Sequence, residues 1–162
     1  TERDLFNDRE VAHMKDVKQL VRGVYVLALA SALYLAAMVV TGFALRRGQF
    51  VADLAKCLAW GGGLTLVLLV VFGLVALVGF DSVFLKFHQL SFANDFWRLD
   101  PRTDYLVRIF PQDFWFDATL WVAVRAIFGA LILTVAGNAF LVYRKYFGWQ
   151  RAMNGLDSVH ES

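Results

Sequence analysis

The sequence predicts an all-α integral membrane protein: a helix bundle with three spans in this chain, four in the parent, and a small aromatic-rich external cap. Three observations carry that reading. Hydrophobic residues make up 59% of the chain and the mean hydropathy is +0.54, well above a soluble globular protein. Three runs, 23–45, 57–80 and 120–143, reach the roughly 20 apolar residues that a spanning helix needs. Between and after them, Lys and Arg are distributed unevenly, as they are around membrane spans.

The first two runs contain no charged residue. The third contains Arg125, close enough to its first end for the guanidinium to reach the interface by snorkelling. Segment 46–56 holds Arg46, Arg47 and Lys56 against Asp53, and segment 144–162 opens with Arg144 and Lys145 and holds Arg151, so both are expected in the cytoplasm. The connection 81–119 has four basic and six acidic residues and is expected outside. Segment 1–22 then lies outside as well, as an amphipathic helix leading into the first span. An external start needs something to carry it across, and no apolar signal-peptide core lies in 1–22, so an upstream fourth span is expected in the parent protein. The tail from Gly148 is polar and expected to fray, and His160 in it has no assigned role.

Other features exclude function classes. Cys57 is the only cysteine, so no disulfide forms within the chain. The net charge of +2 and basic residues spread as membrane anchors offer no nucleic-acid surface. Gly61-Gly-Gly63 lies inside a span, where it permits close helix packing and is no phosphate loop.

The external parts carry the chemistry. A helix is expected from Asp4 to Arg22, with Asp4, Asp8 and Glu10 in its early turns. On it His13 and Asp16 share a face with Val17 and Leu20; the Asp16 carboxylate either orients the imidazole or pairs with Lys15 or Lys18 in water. After the second span, Phe84, Phe87, His88 and Phe92 recur at helical spacing and predict a short helix along the interface. Trp97-Arg-Leu-Asp-Pro101 reads as a turn, Ile109-Phe-Pro111 as a break, and Asp113 as the cap of a short helix leading into the third span. Half of the aromatic residues fall between Phe80 and Trp121. An interfacial belt accounts for Trp115, Phe116 and Trp121, but not for the charges interleaved with the rest. Asp95, Asp100 and Asp104, paired with Arg98, Arg102 and Arg108, are expected to hold a folded cap over a dry pocket lined by Phe84, Phe87, Phe92, Phe96 and Tyr105. Topology puts His13 and His88 at similar depth on one side of the bilayer. Two imidazoles converging at a membrane surface suit acid–base chemistry on a lipid-attached substrate. Two His and one Asp without a His-Glu-x-x-His pattern or a firm third ligand make no metal site, and no cofactor is expected.

His13-Met-Lys-Asp-Val17 before one span, followed by Phe87-His-Gln-Leu-Ser-Phe-Ala-Asn-Asp-Phe-Trp-Arg-Leu-Asp-Pro101 and Asp104-Tyr-Leu-Val-Arg-Ile-Phe-Pro111 after the next, resembles the lipoprotein intramolecular transacylase family, from about His13 to Tyr143. These are bacterial membrane proteins with an external cap and four spans, of which the last three are expected in this chain. The resemblance implies a diacylglyceryl-modified lipoprotein substrate in the membrane, whose sn-2 acyl chain moves to the α-amine of its N-terminal cysteine and leaves the lyso form. It implies His13 and His88 as general acid and base, in either order. Asp16 and Trp97 support them, and Asn94, Arg98 or Arg108 offer donors for the oxyanion. Two other functions remain open on the residues: an acyl hydrolase using the same histidines, and a non-catalytic lipoprotein-binding module.

Overall fold

A computed structural model describes residues 5–160 of the chain, with side chains described for 5–148. The described residues form four α-helices and no strand: α1 (Asp8–Arg46), α2 (Gly48–Ser91), α3 (Tyr105–Ile109) and α4 (Gln112–His160). Helices α1, α2 and α4 are long and apolar enough to cross a membrane.

The first helix starts at a capping box rather than at Asp4, which lies outside the described residues. Asn7 Oδ1 accepts the Glu10 N–H at 3.0 Å, and Glu10 Oε2 accepts the Asn7 N–H at 2.8 Å. Two donors that a helix start leaves orphaned are thereby satisfied reciprocally. Asp8 and Glu10 in the first turn also place negative charge at the positive end of the helix dipole.

Segment 46–56 is not the loop its charges suggested. The chain turns at Arg47, whose φ of 48° is the left-handed conformation that often ends a helix, and α2 begins at Gly48. Charge marked the segment as outside the membrane, but no proline or polar cluster stops the helix from extending there. Similarly, the segment around His88 is no separate interfacial helix. It is the last part of α2, set off by non-helical backbone at Gly79 (φ −155°, ψ 56°). Asp113 lies inside the first turn of α4 instead of capping a short helix, and α4 runs unbroken from Gln112, directly after Pro111, to His160. Beyond Gly148, where fraying is expected, the backbone is helical through His160; the His160 side chain lies outside the described ones.

The chain divides into two compact units, Thr1–Ala37 with Val71–Ala123 and Met38–Val70 with Val124–Ser162. In the second unit, helices meet through small residues. A Cβ on Gly62 would strike the Thr134 hydroxyl and come within 2.8 Å of the Ala130 carbonyl, and one on Gly137 would meet Ala55 O at 2.6 Å and Ala59 N at 2.8 Å. Small residues let backbones approach where lipid removes the hydrophobic drive between helices. Gly61 and Gly63 face open space. Gly62→Leu is therefore expected to destabilise this unit by about 1–3 kcal/mol or more through overpacking, whereas Gly61→Leu is near neutral; thermal unfolding in detergent compares them.

Side-chain burial is inverted relative to a soluble protein. Leu27, Leu33, Leu64, Phe72 and Val78 are exposed, as suits a surface facing hydrocarbon. Among the described residues the buried polar side chains are Glu10, His13, His88 and Asp104, and all four belong to the first unit.

Candidate active site

The first unit brings the two histidines together. His13 lies on α1 before the apolar run begins, and His88 lies near the end of α2, beyond the Gly79 break. Their ring centroids are 6.0 Å apart, and each imidazole is only 8% exposed. Aromatic rings enclose them. Phe92 presents its edge to His13 at 5.1 Å; Phe84 (4.3 Å), Trp97 (5.2 Å), Phe87 (5.4 Å) and Phe92 (5.7 Å) surround His88. Of the expected pocket residues, Phe96 and Tyr105 make no ring contact with either histidine among the described residues.

The two imidazoles differ in their hydrogen bonds. His88 Nδ1 lies 2.8 Å from the Phe84 carbonyl oxygen. A carbonyl only accepts, so Nδ1 carries the proton of the neutral ring and Nε2 keeps its lone pair. His13 Nδ1 is buried with no partner among the described residues. An unpaired buried polar atom is costly, and this nitrogen can still take a hydrogen-bond partner. Burial lowers the His13 pKa below its ordinary 6.5, and the neighbouring His88 lowers it further, against a smaller upward pull from Asp16. His13 is therefore held neutral near pH 7.

Asp16 acts on His13 through charge, not as a hydrogen-bonding orienter. Its Oδ2 accepts from Asn94 Nδ2 at 2.8 Å, and Asn94 Oδ1 accepts the Phe96 N–H at 3.0 Å. One pair thus anchors the loop after α2 onto α1, one turn past His13. Removing the Asp16 charge in Asp16→Asn, which keeps the side-chain size, deletes the only upward pull. The acid limb of the rate–pH profile is expected to move further below 6.5, as a profile from pH 4 to 8 would show.

The acidic residues of the cap divide between surface pairs and buried anchors. Asp95 pairs with Arg98 at 3.0 Å, and Asp100 takes Arg102 through both oxygens at 3.2 and 3.1 Å, which holds the Asp100 carboxyl below its usual range. These pairs are exposed and contribute little. Asp104 does not pair with Arg108, whose guanidinium lies 5.1 Å from the Tyr105 ring centre. Asp104 is buried, and it accepts from Asn7 Nδ2 at 2.9 Å and from the Asp100 N–H at 2.7 Å. Local spacing suggested Arg partners; the actual ones are amides that sequence proximity does not reveal.

Three residues outside the expected site complete the frame. Glu10, the most buried side chain at 1% exposure, spends its second oxygen on the Leu106 N–H at 2.6 Å, tying the start of α3 to α1. Asn7 bonds both Glu10 and Asp104. Arg9 donates to the carbonyls of Asp95 (3.2 Å) and Arg98, which bracket Trp97. The Asn-x-x-Glu spacing of a capping box was present as a signal; the backbone acceptors of Arg9 left none. Arg98 also lies over Trp97, 5.0 Å from the ring centre.

Residues 1–115 match the family described as lipoprotein intramolecular transacylase Lit. An uncharacterized protein from Aquifex aeolicus (strain VF5) is 33% identical over 143 residues, covering 84% of this chain and 59% of that protein. The chain thus spans somewhat over half the length of this curated relative. No solved structure matches. The matched region contains both histidines, the loop between α2 and α3, and α1 with its capping box; the chain belongs to the lipoprotein intramolecular transacylase family.

Proposed function

We propose that this protein is a membrane transacylase that moves the sn-2 acyl chain of a diacylglyceryl-cysteine lipoprotein to the cysteine α-amine. His13 and His88 act as general acid and base on the external face, and the product is the lyso-form N-acyl lipoprotein. The observation that carries this is the buried histidine pair in its aromatic enclosure, one ring with a tautomer set by Phe84 and the other with an unpaired nitrogen.

Proton accounting explains why two bases serve this reaction. The substrate α-amine is largely an ammonium near neutral pH, with a reference pKa around 7.7–8.0. Its nitrogen must shed two protons to become a secondary amide. One imidazole takes the first and frees the lone pair for attack on the ester carbonyl; the other takes the second from the tetrahedral adduct. One of these protons goes to the departing glycerol oxygen, which becomes a hydroxyl, and the other leaves to water. The ester C–O bond breaks as the amide C–N bond forms, so neither cofactor nor covalent enzyme intermediate is required. The cyclic path through Cα, Cβ, sulfur and two glycerol carbons has about eight members, and holding the substrate folded makes it accessible.

Among the oxyanion donors, Asn94 is favoured, because Asp16 holds its amide one turn from His13 while Arg98 faces Asp95 and Arg108 lies over Tyr105. Phe84, Phe92 and Trp97 would keep out water, which would otherwise hydrolyse the ester. Partly exposed Phe87 would meet the acyl chains.

Mass spectrometry of the N-terminal lipopeptide from a bacterial host that makes the diacyl form, with and without the protein, tests the reaction. The expected product has unchanged mass, with one acyl chain moved from glycerol to nitrogen. Loss of one acyl mass would indicate a hydrolase, and an unchanged lipopeptide would leave only a binding role.

A further inference from the structure

The second unit contains a cleft that the acyl-transfer reading does not use. It is an open cleft of about 540 Å³ between the first turns of α2 and the last part of the apolar stretch of α4, lined by Gln49, Asp53, Lys56, Arg144 and Lys145 together with Ala52 and Leu141. Three cations face one carboxylate there. Asp53 is already engaged, by Arg46 at 3.0 Å and Lys56 at 3.6 Å. Arg144 and Lys145 form no ion pair among the described residues, so the cleft keeps a net positive field.

Its position decides what kind of anion can use that field. Lys56 directly precedes the apolar run 57–80, and Arg144 directly follows the run 120–143, so the cleft opens at the level where lipid headgroups lie. On α4, close in sequence to Leu141 and Arg144, an open and shallow apolar groove runs along Val135, Ala139, Val142 and Tyr146. A soluble anion would gain nothing from that groove; a phospholipid would fill the cleft with its phosphate and the groove with an acyl chain.

We propose that this cleft is a binding site for an anionic phospholipid headgroup, with Lys56, Arg144 and Lys145 contacting the phosphate and Gln49 the headgroup hydroxyls. A basic cleft between helices at a membrane surface selects anionic lipids, because each cation near the surface contributes a separate attraction to a net negative headgroup and little to a zwitterionic one.

Native mass spectrometry of the full chain in detergent, titrated with phosphatidylglycerol or phosphatidylcholine, tests this. Phosphatidylglycerol is expected to remain bound in clear preference to phosphatidylcholine. Arg144→Gln with Lys145→Gln should weaken it by roughly five-fold per cation, about twenty-five-fold for the pair. The charge-preserving exchange Arg144→Lys with Lys145→Arg should retain it. Arg47→Gln removes one charge from the same end, outside the cleft and with no ion pair to Asp53 among the described residues, and should matter far less than Arg144→Gln or Lys145→Gln alone. Equal binding of the two lipids by the wild type would overturn the proposal, whatever the variants do. So would a loss in Arg47→Gln equal to that of a single cleft variant, which would indicate a diffuse surface effect, or displacement of the lipid by millimolar inorganic phosphate, which would indicate a free-anion site.

Discussion

Replacing His88 with alanine is expected to lower the rate of acyl transfer by a factor on the order of 10²–10⁴ while the helices stay folded, and His13→Ala should do the same. The magnitude is that of losing one positioned acid–base group. Neither change is expected to unfold the first unit, because the cap is held to α1 by Glu10, Arg9 and Asp16 and not by the imidazoles. The double variant should be scarcely slower than either single one, since the two rings serve successive proton transfers of one reaction. The wild-type profile should keep its acid limb below 6.5, because burial and His88 hold His13 neutral. In His13→Ala that limb should vanish or shift. A time course of lipopeptide conversion, read beside helical circular dichroism, measures both quantities. Either single variant retaining more than about a tenth of wild-type activity would remove the imidazole from the chemical step.

How much of this was legible in the sequence depended on how local each interaction is. The spans were legible because length and the absence of charge are properties of a contiguous run, and 23–45, 57–80 and 120–143 fall inside α1, α2 and α4. The meeting of His13 with His88 was legible by topology: two residues flanking spans on one side must lie at similar depth. Where each helix ended was less legible. Charge marks the membrane boundary but not the helix boundary, so the helical residues after Gly48 and beyond Gly148 read as loop and tail. Least legible were the partners of buried carboxylates. Glu10 and Asp104 bind backbone N–H groups at Leu106 and Asp100. A backbone donor exists at nearly every residue, so composition and spacing carry no trace of which one is chosen. Cations nearby in sequence then look like the natural partners, which is how Arg108 came to be matched with Asp104.

Glu10 is where that blind spot has its largest consequence. Glu10→Ala is expected to destabilise the first unit by roughly 2–6 kcal/mol, since two backbone donors, at Asn7 and Leu106, lose a buried acceptor at about 1–3 kcal/mol each. Against a total stability of about 5–15 kcal/mol for an ordinary domain, that is a large share. Asn7→Ala removes the cap, at about 1 kcal/mol, and the bond to Asp104, but it leaves the Glu10–Leu106 bond and should loosen α3 less than the Glu10 change. Glu10→Gln keeps an acceptor oxygen and should fall between them. Hydrogen exchange of residues 92–111 in detergent is the decisive readout. Glu10→Ala should lose protection over α3 and the loop before it, together with activity, whereas His88→Ala should lose activity with protection intact. The two results would separate holding the cap in place from performing chemistry beneath it. If Glu10→Ala kept wild-type protection over 105–109, the carboxylate would be a helix cap for α1 alone and α3 would be held by other contacts.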